Sequence, residues 1–189
     1  MSILIVFFEK RNTIFCDMEK KNLTIRAARI EDLPAITEIY NEAVVNTLST
    51  FHLYPRSLDD QKKWFENHGV KYPLLIAEDE GSTVAWASLS PYSEREGYQF
   101  TVADSIYVRE GYRRKGIGYD LLGKLIDEAQ ALKYHSIIAI IALVNVPSIK
   151  LHEKLGFICR GILLEAGFKF GKWVDICLYQ KMLSKCSDE

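Results

Sequence analysis

The stretch from residue 98 to residue 143 changes its periodicity from strand to helix and back, and this succession limits the available folds more than any other feature. Tyr98 to Val108 is rich in β-branched and aromatic residues and reads as a strand. It stops at Gly111-Tyr112-Arg113-Arg114-Lys115-Gly116-Ile117-Gly118, a basic segment punctuated by glycines. Leu121, Leu122, Leu125, Ile126, Ala129 and Leu132 then repeat with the period of one buried helical face. Ser136 to Leu143 is a continuous apolar run, the mark of a strand covered on both faces. Strand, basic loop, helix and strand make an α/β unit, with the loop placed where the helix begins.

The flanking sequence supplies more strands and helices. Leu23 to Ala27 reads as a strand, and Ile36, Ile39, Tyr40, Ala43 and Val44 recur at helical spacing after Glu31, Asp32 and Pro34. Ser57-Leu58-Asp59-Asp60 resembles a capping box opening a helix that carries Trp64 and Phe65. Leu74 to Glu78 and Thr83 to Ser90 form a predicted hairpin around Asp79-Glu80-Gly81. Pro147 suits a first helical turn and Gly156 a helix end, and Phe157 to Leu164 and Trp173 to Met182 give two last strands. The 189 residues fit one domain, taken as 21–185 after an extension over 1–20. For that extension two readings stand equal, translation starting at Met18 or an extra edge strand.

Composition narrows the class. A net charge of -1 with 26% charged residues is that of an ordinary globular protein and gives no sign of a nucleic-acid partner. The apolar run Ile3 to Phe8 is far shorter than the ~20 residues needed to cross a bilayer, and the basic residues follow it rather than precede it, unlike a secretory signal. Cys16, Cys159, Cys177 and Cys186 have no metal-site or disulfide-framework spacing, so no metal is expected and a cytoplasmic location is the simplest.

A helix start offers unpaired N–H groups and a positive dipole end, and glycines let a phosphate approach the backbone, so the segment 113–118 suits a pyrophosphate. It is neither a Walker A loop nor a G-x-G-x-x-G dinucleotide fingerprint. A solvated turn with capping glycines reads equally well from these residues alone.

Context separates the two. Arg113-Arg114-Lys115-Gly116-Ile117-Gly118 resembles the R-x-x-G-x-G coenzyme-A loop of the GCN5-related N-acetyltransferases (GNAT), and Asn145-x-x-Ser148-x-x-Leu151-His152-x-x-Leu155-Gly156-Phe157 resembles their later coenzyme-binding element. Further traces are similar to the phosphinothricin and methionine sulfoximine branch: Ile39-Tyr40-Asn41, Ser49-Thr50-Phe51, Tyr72-Pro73, Ala77-Glu78, Thr101-Val102, Ser105-Ile106-Tyr107-Val108 and Gly167 to Trp173 with Asp175. The resemblance runs from about Leu23 to Leu183. It implies a central mixed sheet flanked by helices, acetyl-CoA as co-substrate, direct attack by a primary amine on the thioester, and a homodimer.

The resemblance also implies roles. Ser105, Ile106, Tyr107 and Val108 would lie on a splayed strand whose backbone pairs with pantetheine; Arg113, Arg114, Lys115, Gly116, Ile117 and Gly118 would hold the pyrophosphate; Asn145 and Ser148 would face the pantetheine arm. His152 stands where many relatives place a tyrosine that protonates the departing thiolate, a task within reach of histidine. Arg95 and Tyr98 fall where the branch grips its substrate, Thr101, Val102 and Ala103 lie along the same strand, and Phe51 and Trp173 would wall the pocket. The branch carries a glutamate as candidate general base where this chain has Ala103. Asp104 is the adjacent candidate, although successive strand side chains point to opposite faces unless a bulge re-aims them. Besides an amino-acid-type acceptor, an acetyltransferase for a polyamine or a protein N-terminus and a non-catalytic acyl-CoA sensor remain open.

Overall fold

The computed structural model describes residues 23–183. The apolar run near the N-terminus, Met18, Cys16 and Cys186 lie outside the described residues.

The strands β1 (Leu23–Ala27), β2 (Leu74–Asp79), β3 (Ser82–Pro91), β4 (Thr101–Val108), β5 (Ser136–Ala142), β6 (Ile158–Lys169) and β7 (Lys172–Met182) form one seven-stranded sheet in the order β1-β2-β3-β4-β5-β7-β6. Every neighbouring pair is antiparallel except β4 and β5. That parallel pair needs a crossover, which α3 (Ile117–Ala131) supplies. With α1 (Leu33–Asn46), α2 (Leu58–Glu66) and α4 (Val146–Lys154) this is a mixed α/β fold of the expected class.

The sheet carries two cores. Leu121, Leu122, Leu125 and Ala129 of α3 are fully buried against Ala85, Ala87, Val102 and Ile137, with Ile149 and Leu151 of α4 and Leu155 just after it packed beside them. On the other face Ile36, Ile39, Tyr40 and Val44 of α1 meet Leu74, Ile76 and Trp86, and Trp64 and Phe65 of α2 close the cluster. Ser57 caps α2 by accepting from the Asp60 N–H at 3.1 Å, as its capping-box spacing predicts. Glu80 and Gly81 turn the β2–β3 hairpin at φ 50 and 79, the left-handed pair a two-residue turn requires.

Three boundaries differ from the sequence reading. Residues Glu96–Tyr98 form a 3₁₀ turn and β4 starts only at Thr101. β6 continues past Leu164 because the register shifts between Leu163 and Gly167, with Glu165 at φ 50; such a bulge lets a strand continue through an interruption in its pattern. The apolar run 136–143 is not covered throughout: Ile140 is 54% exposed. The cause is that β4 and β5 pair only over Thr101–Ser136, Val102–Ile137 and Ala103–Ile138 and then diverge.

Candidate active site

That divergence opens a cleft of about 1070 Å³ between β4 and β5, bounded by the end of α1, the start of α3 and one face of α4. Beyond Ala103, the backbone groups of β4 that face β5 have no strand partner. Ile140 is exposed because it forms part of this wall.

At the mouth of the cleft the basic segment enters α3. Gly116 has φ 85, a conformation strained for any side chain, and Arg114 is also left-handed at φ 62. Arg113 is occupied: Nε donates to the Val108 carbonyl at 2.9 Å and the guanidinium pairs with Glu42 at 2.6 Å. Lys115 Nζ donates to the Gly111 carbonyl at 2.6 Å. Arg114 is thus the member of the basic trio with no side-chain partner among the described residues, and together with Arg113, Gly116 and Gly118 it lines the cleft. Lys115 and Ile117 do not line it; Ile117 is core. A Cβ on Gly118 would lie 3.5 Å from Leu151 and 3.7 Å from Val108, an ordinary contact distance from α4 and β4.

Deeper in the cleft His152 of α4 meets Asp104 of β4. Nε2 lies 3.0 Å from Asp104 Oδ2, and both side chains are 2% exposed. Nδ1 lies 2.7 Å from the Ser148 carbonyl, which can only accept, so Nδ1 carries a proton. The contact at Nε2 then requires one more proton, held between the imidazole and the carboxylate. Burial opposes the imidazolium, but the Asp104 hydrogen bond and charge and the Ser148 carbonyl outweigh it, so the His152 pKa lies above its ordinary value. Both ring nitrogens are engaged. Asp104 Oδ1, by contrast, is buried without a partner.

Alternation along β4 gives its two faces different surroundings. Asp104, Ile106 and Val108 point toward α3 and α4, where Ile106 and Val108 approach Gly118. Ser105 and Tyr107 point toward α1: the Tyr107 ring packs edge-on against Tyr40, with centroids 5.2 Å apart, and its hydroxyl donates to the Ser49 carbonyl at 3.4 Å. Burial raises the Tyr107 pKa strongly, so this hydroxyl keeps its proton. Asn145 caps α4, its Oδ1 accepting from the Ser148 N–H at 3.3 Å, while Nδ2 donates to Ser49 Oγ at 3.2 Å. The connection after α1 therefore bridges the two walls of the cleft through Ser49, which the sequence reading did not single out as a site residue.

Other expected site residues lie apart from the cleft. Arg95 and Tyr98 sit on the exposed loop between β3 and β4, where Tyr98 packs on Tyr92 with centroids 5.4 Å apart. Val102 is fully buried core, Thr101 Oγ1 accepts from Ser136 Oγ at 3.4 Å, and Ala103 is half-buried on the face opposite Asp104. Trp173 is 61% exposed beside Phe168. The Phe51 ring lies against Gly167, where a Cβ would come within 2.1 Å of it. Lys169, absent from the expectations, is buried and ties β6 to this connection through the Thr50 carbonyl at 2.8 Å.

The model of the acetyltransferase (GNAT) domain matches residues 25–178. An L-methionine sulfoximine/L-methionine sulfone acetyltransferase of Pseudomonas aeruginosa is 40% identical over 159 residues, covering 83% of this chain and 92% of the relative. A GNAT superfamily phosphinothricin acetyltransferase from Sinorhizobium meliloti, solved in complex with acetyl-CoA, superposes with a TM-score of 0.84 at 37% identity, over 88% of this chain and 91% of that one. A ribosomal-protein-alanine N-acetyltransferase structure from Brucella melitensis gives 0.82 at 41% identity, over 84% and 99%. With its parted β4 and β5, its left-handed glycine at the start of α3 and these matches, the chain belongs to the GNAT acetyltransferase family.

Proposed function

We propose that this protein transfers the acetyl group of acetyl-CoA to the primary amine of a small amino-acid-like substrate of the methionine sulfoximine, methionine sulfone or phosphinothricin kind. The observation that carries this reading is the cleft between β4 and β5, which joins a helix N-terminus at its mouth to a buried proton-bearing pair in its depth.

The residues present fit acetyl-CoA. The N–H groups at the start of α3, with Arg114 and the glycine-formed turn, suit the pyrophosphate; the β5-facing backbone of β4 beyond Ala103, with Asn145 and Ser148, suits the amides of pantetheine. Backbone N–H groups on the same strand are placed to stabilise negative charge on a carbonyl oxygen. Direct attack needs proximity and somewhere for protons to go. Asp104 provides the latter at Oδ1: it accepts a proton as the amine forms its new N–C bond and returns one to the thiolate as the C–S bond breaks. His152 holds Oδ2 through Nε2 and orients the carboxylate. Arg95 and Tyr98, on the exposed loop between β3 and β4, remain proposed substrate contacts.

The protein is further proposed to act as a homodimer in a reducing compartment. Leu164, Phe168 and Trp173 on the outermost hairpin are 76%, 50% and 61% exposed, an apolar surface that a second copy would cover, and Cys159 and Cys177 are free thiols. Light scattering tests the dimer. A panel of amino-acid, polyamine and peptide amines incubated with acetyl-CoA, with free thiol followed, tests the reaction. Turnover highest with methionine sulfone, methionine sulfoximine or phosphinothricin is expected; thiol release only with polyamines or peptides would overturn the substrate class, and none with any amine would favour a sensor.

A further inference from the structure

The outermost strand, β6, buries a single one of its residues, and that residue is Lys169, 2% exposed; every other residue of the strand is exposed or half-buried. An ammonium loses its hydration in such a place, which is costly unless something is gained by holding it there. Burial keeps the Lys169 pKa below the ordinary lysine value. No carboxylate pairs with it among the described residues: Nζ donates to the Thr50 carbonyl at 2.8 Å and lies 5.0 Å from the centre of the Phe170 ring.

Thr50 belongs to a short segment in which each successive residue is tied to a different part of the fold. The Ser49 carbonyl accepts from the Tyr107 hydroxyl of β4 at 3.4 Å, and Ser49 Oγ accepts from Asn145 Nδ2 at 3.2 Å. Thr50 Oγ1 lies 3.0 Å from the Tyr40 hydroxyl of α1, and its carbonyl accepts from Lys169. The Phe51 ring lies against Gly167 of β6. Ser49 lines the large cleft between β4 and β5, and Lys169 does not. The Ser49 bond also fixes the amide of Asn145: Oδ1 is engaged by the Ser148 N–H and one Nδ2 hydrogen by Ser49, which leaves the second Nδ2 hydrogen for a ligand.

We infer that Lys169 is a positioning residue for acetyl-CoA: from outside the cleft it holds the Thr50 carbonyl, and through the adjoining Ser49 it sets the amide of Asn145 against the pantetheine arm. A charge-assisted hydrogen bond is about twice as strong as a neutral one, so an ammonium fixes the Thr50 peptide more firmly than an uncharged donor of the same reach. A fold that needed only to fill this space would do as well with an apolar side chain, since exchanging a buried charge for one of similar volume is often neutral or stabilising.

The inference rests on the placing of acetyl-CoA in the cleft, and the experiment tells the two apart. Acetyl-CoA is titrated by calorimetry into the wild type, Lys169→Met, Ser49→Ala and the double variant, with urea unfolding reporting that each is folded. Lys169→Met is expected to bind acetyl-CoA about tenfold more weakly, the size of one lost hydrogen bond to a charged group. In the Ser49→Ala background the same replacement is expected to change affinity by no more than about twofold, because the route through Ser49 is already cut and residues that act through one another are not additive. Losses that multiply in the double variant overturn the inference. So does lower stability of Lys169→Met with affinity kept, the result a purely structural tie gives, or no change in either. Should Lys169→Met fail to fold, Lys169→Gln, shorter and uncharged, takes its place in the same cycle and is judged in the same way. Absence of binding by the wild type would refute the placing of the coenzyme as well, whereas wild-type binding with an additive cycle overturns the role of Lys169 alone.

Discussion

Replacing Asp104 should reverse the way His152 couples stability to pH. The pair is 2% exposed on both sides with Nε2 and Oδ2 3.0 Å apart, and removing one partner of such a pair typically costs about 3–5 kcal/mol because a charge stays buried alone. Asp104→Ala should approach that range below the His152 pKa. Asp104→Asn should cost less, since its amide can donate to a neutral Nε2. In the wild type the folded His152 pKa is raised above 6.5, so the stabilisation is complete below the unfolded value and is lost as pH rises through the folded one. Without Asp104, burial outweighs the Ser148 carbonyl and the folded pKa drops below 6.5. The His152 contribution is then present at high pH and lost as pH falls. Urea unfolding of wild type and Asp104→Asn between pH 5.5 and 8.5 should therefore give a deficit that is largest at low pH and shrinks as pH rises. A deficit constant over that range would refute a protonated pair, and a deficit growing with pH would refute the assignment of its charge.

Gly116→Asp should abolish acetyl-CoA binding by calorimetry, since it forces a side chain onto φ 85 and puts a negative charge where an anion is expected; unchanged affinity would reduce the loop to a turn. Gly167→Ala drives a Cβ to within 2.1 Å of the Phe51 ring and should cost about 1–3 kcal/mol in chemical denaturation, and a neutral effect would show that Phe51 is free to move. Arg95→Ala should raise substrate KM with acetyl-CoA affinity kept, whereas equal loss of both would indicate a folding role. Ala103→Glu should raise kcat at neutral pH, a positioned base being worth about 10²–10⁴ in rate, with a smaller gain at high pH where the amine is already neutral; a lower melting temperature with no gain would show that no base is missing there.

The order of elements was legible in the sequence because it rests on local signals: the turn at Asp79-Glu80-Gly81, the helical stripe of α3, the cap at Ser57 and the glycines that open α3. What the sequence hid depends on distant parts of the chain. Ile140 looks like any buried strand residue until β5 leaves β4, and no local pattern marks the residue at which two parallel strands part. Lys169 lies far along the chain from the Thr50 carbonyl that holds it.

Asp104 is where sequence and structure correct each other most usefully. Alternation argues that a carboxylate moved by one residue from position 103 faces the wrong side to replace a base there, and the structure agrees about the direction: Asp104 points to α4 and Ala103 does not. The other side, however, holds His152, whose burial would leave it neutral but for an anion beside it. An aspartate at 104 without His152 would be a buried charge lacking a partner, and a histidine at 152 without Asp104 would have little reason to carry a second proton. The two residues therefore make sense only together.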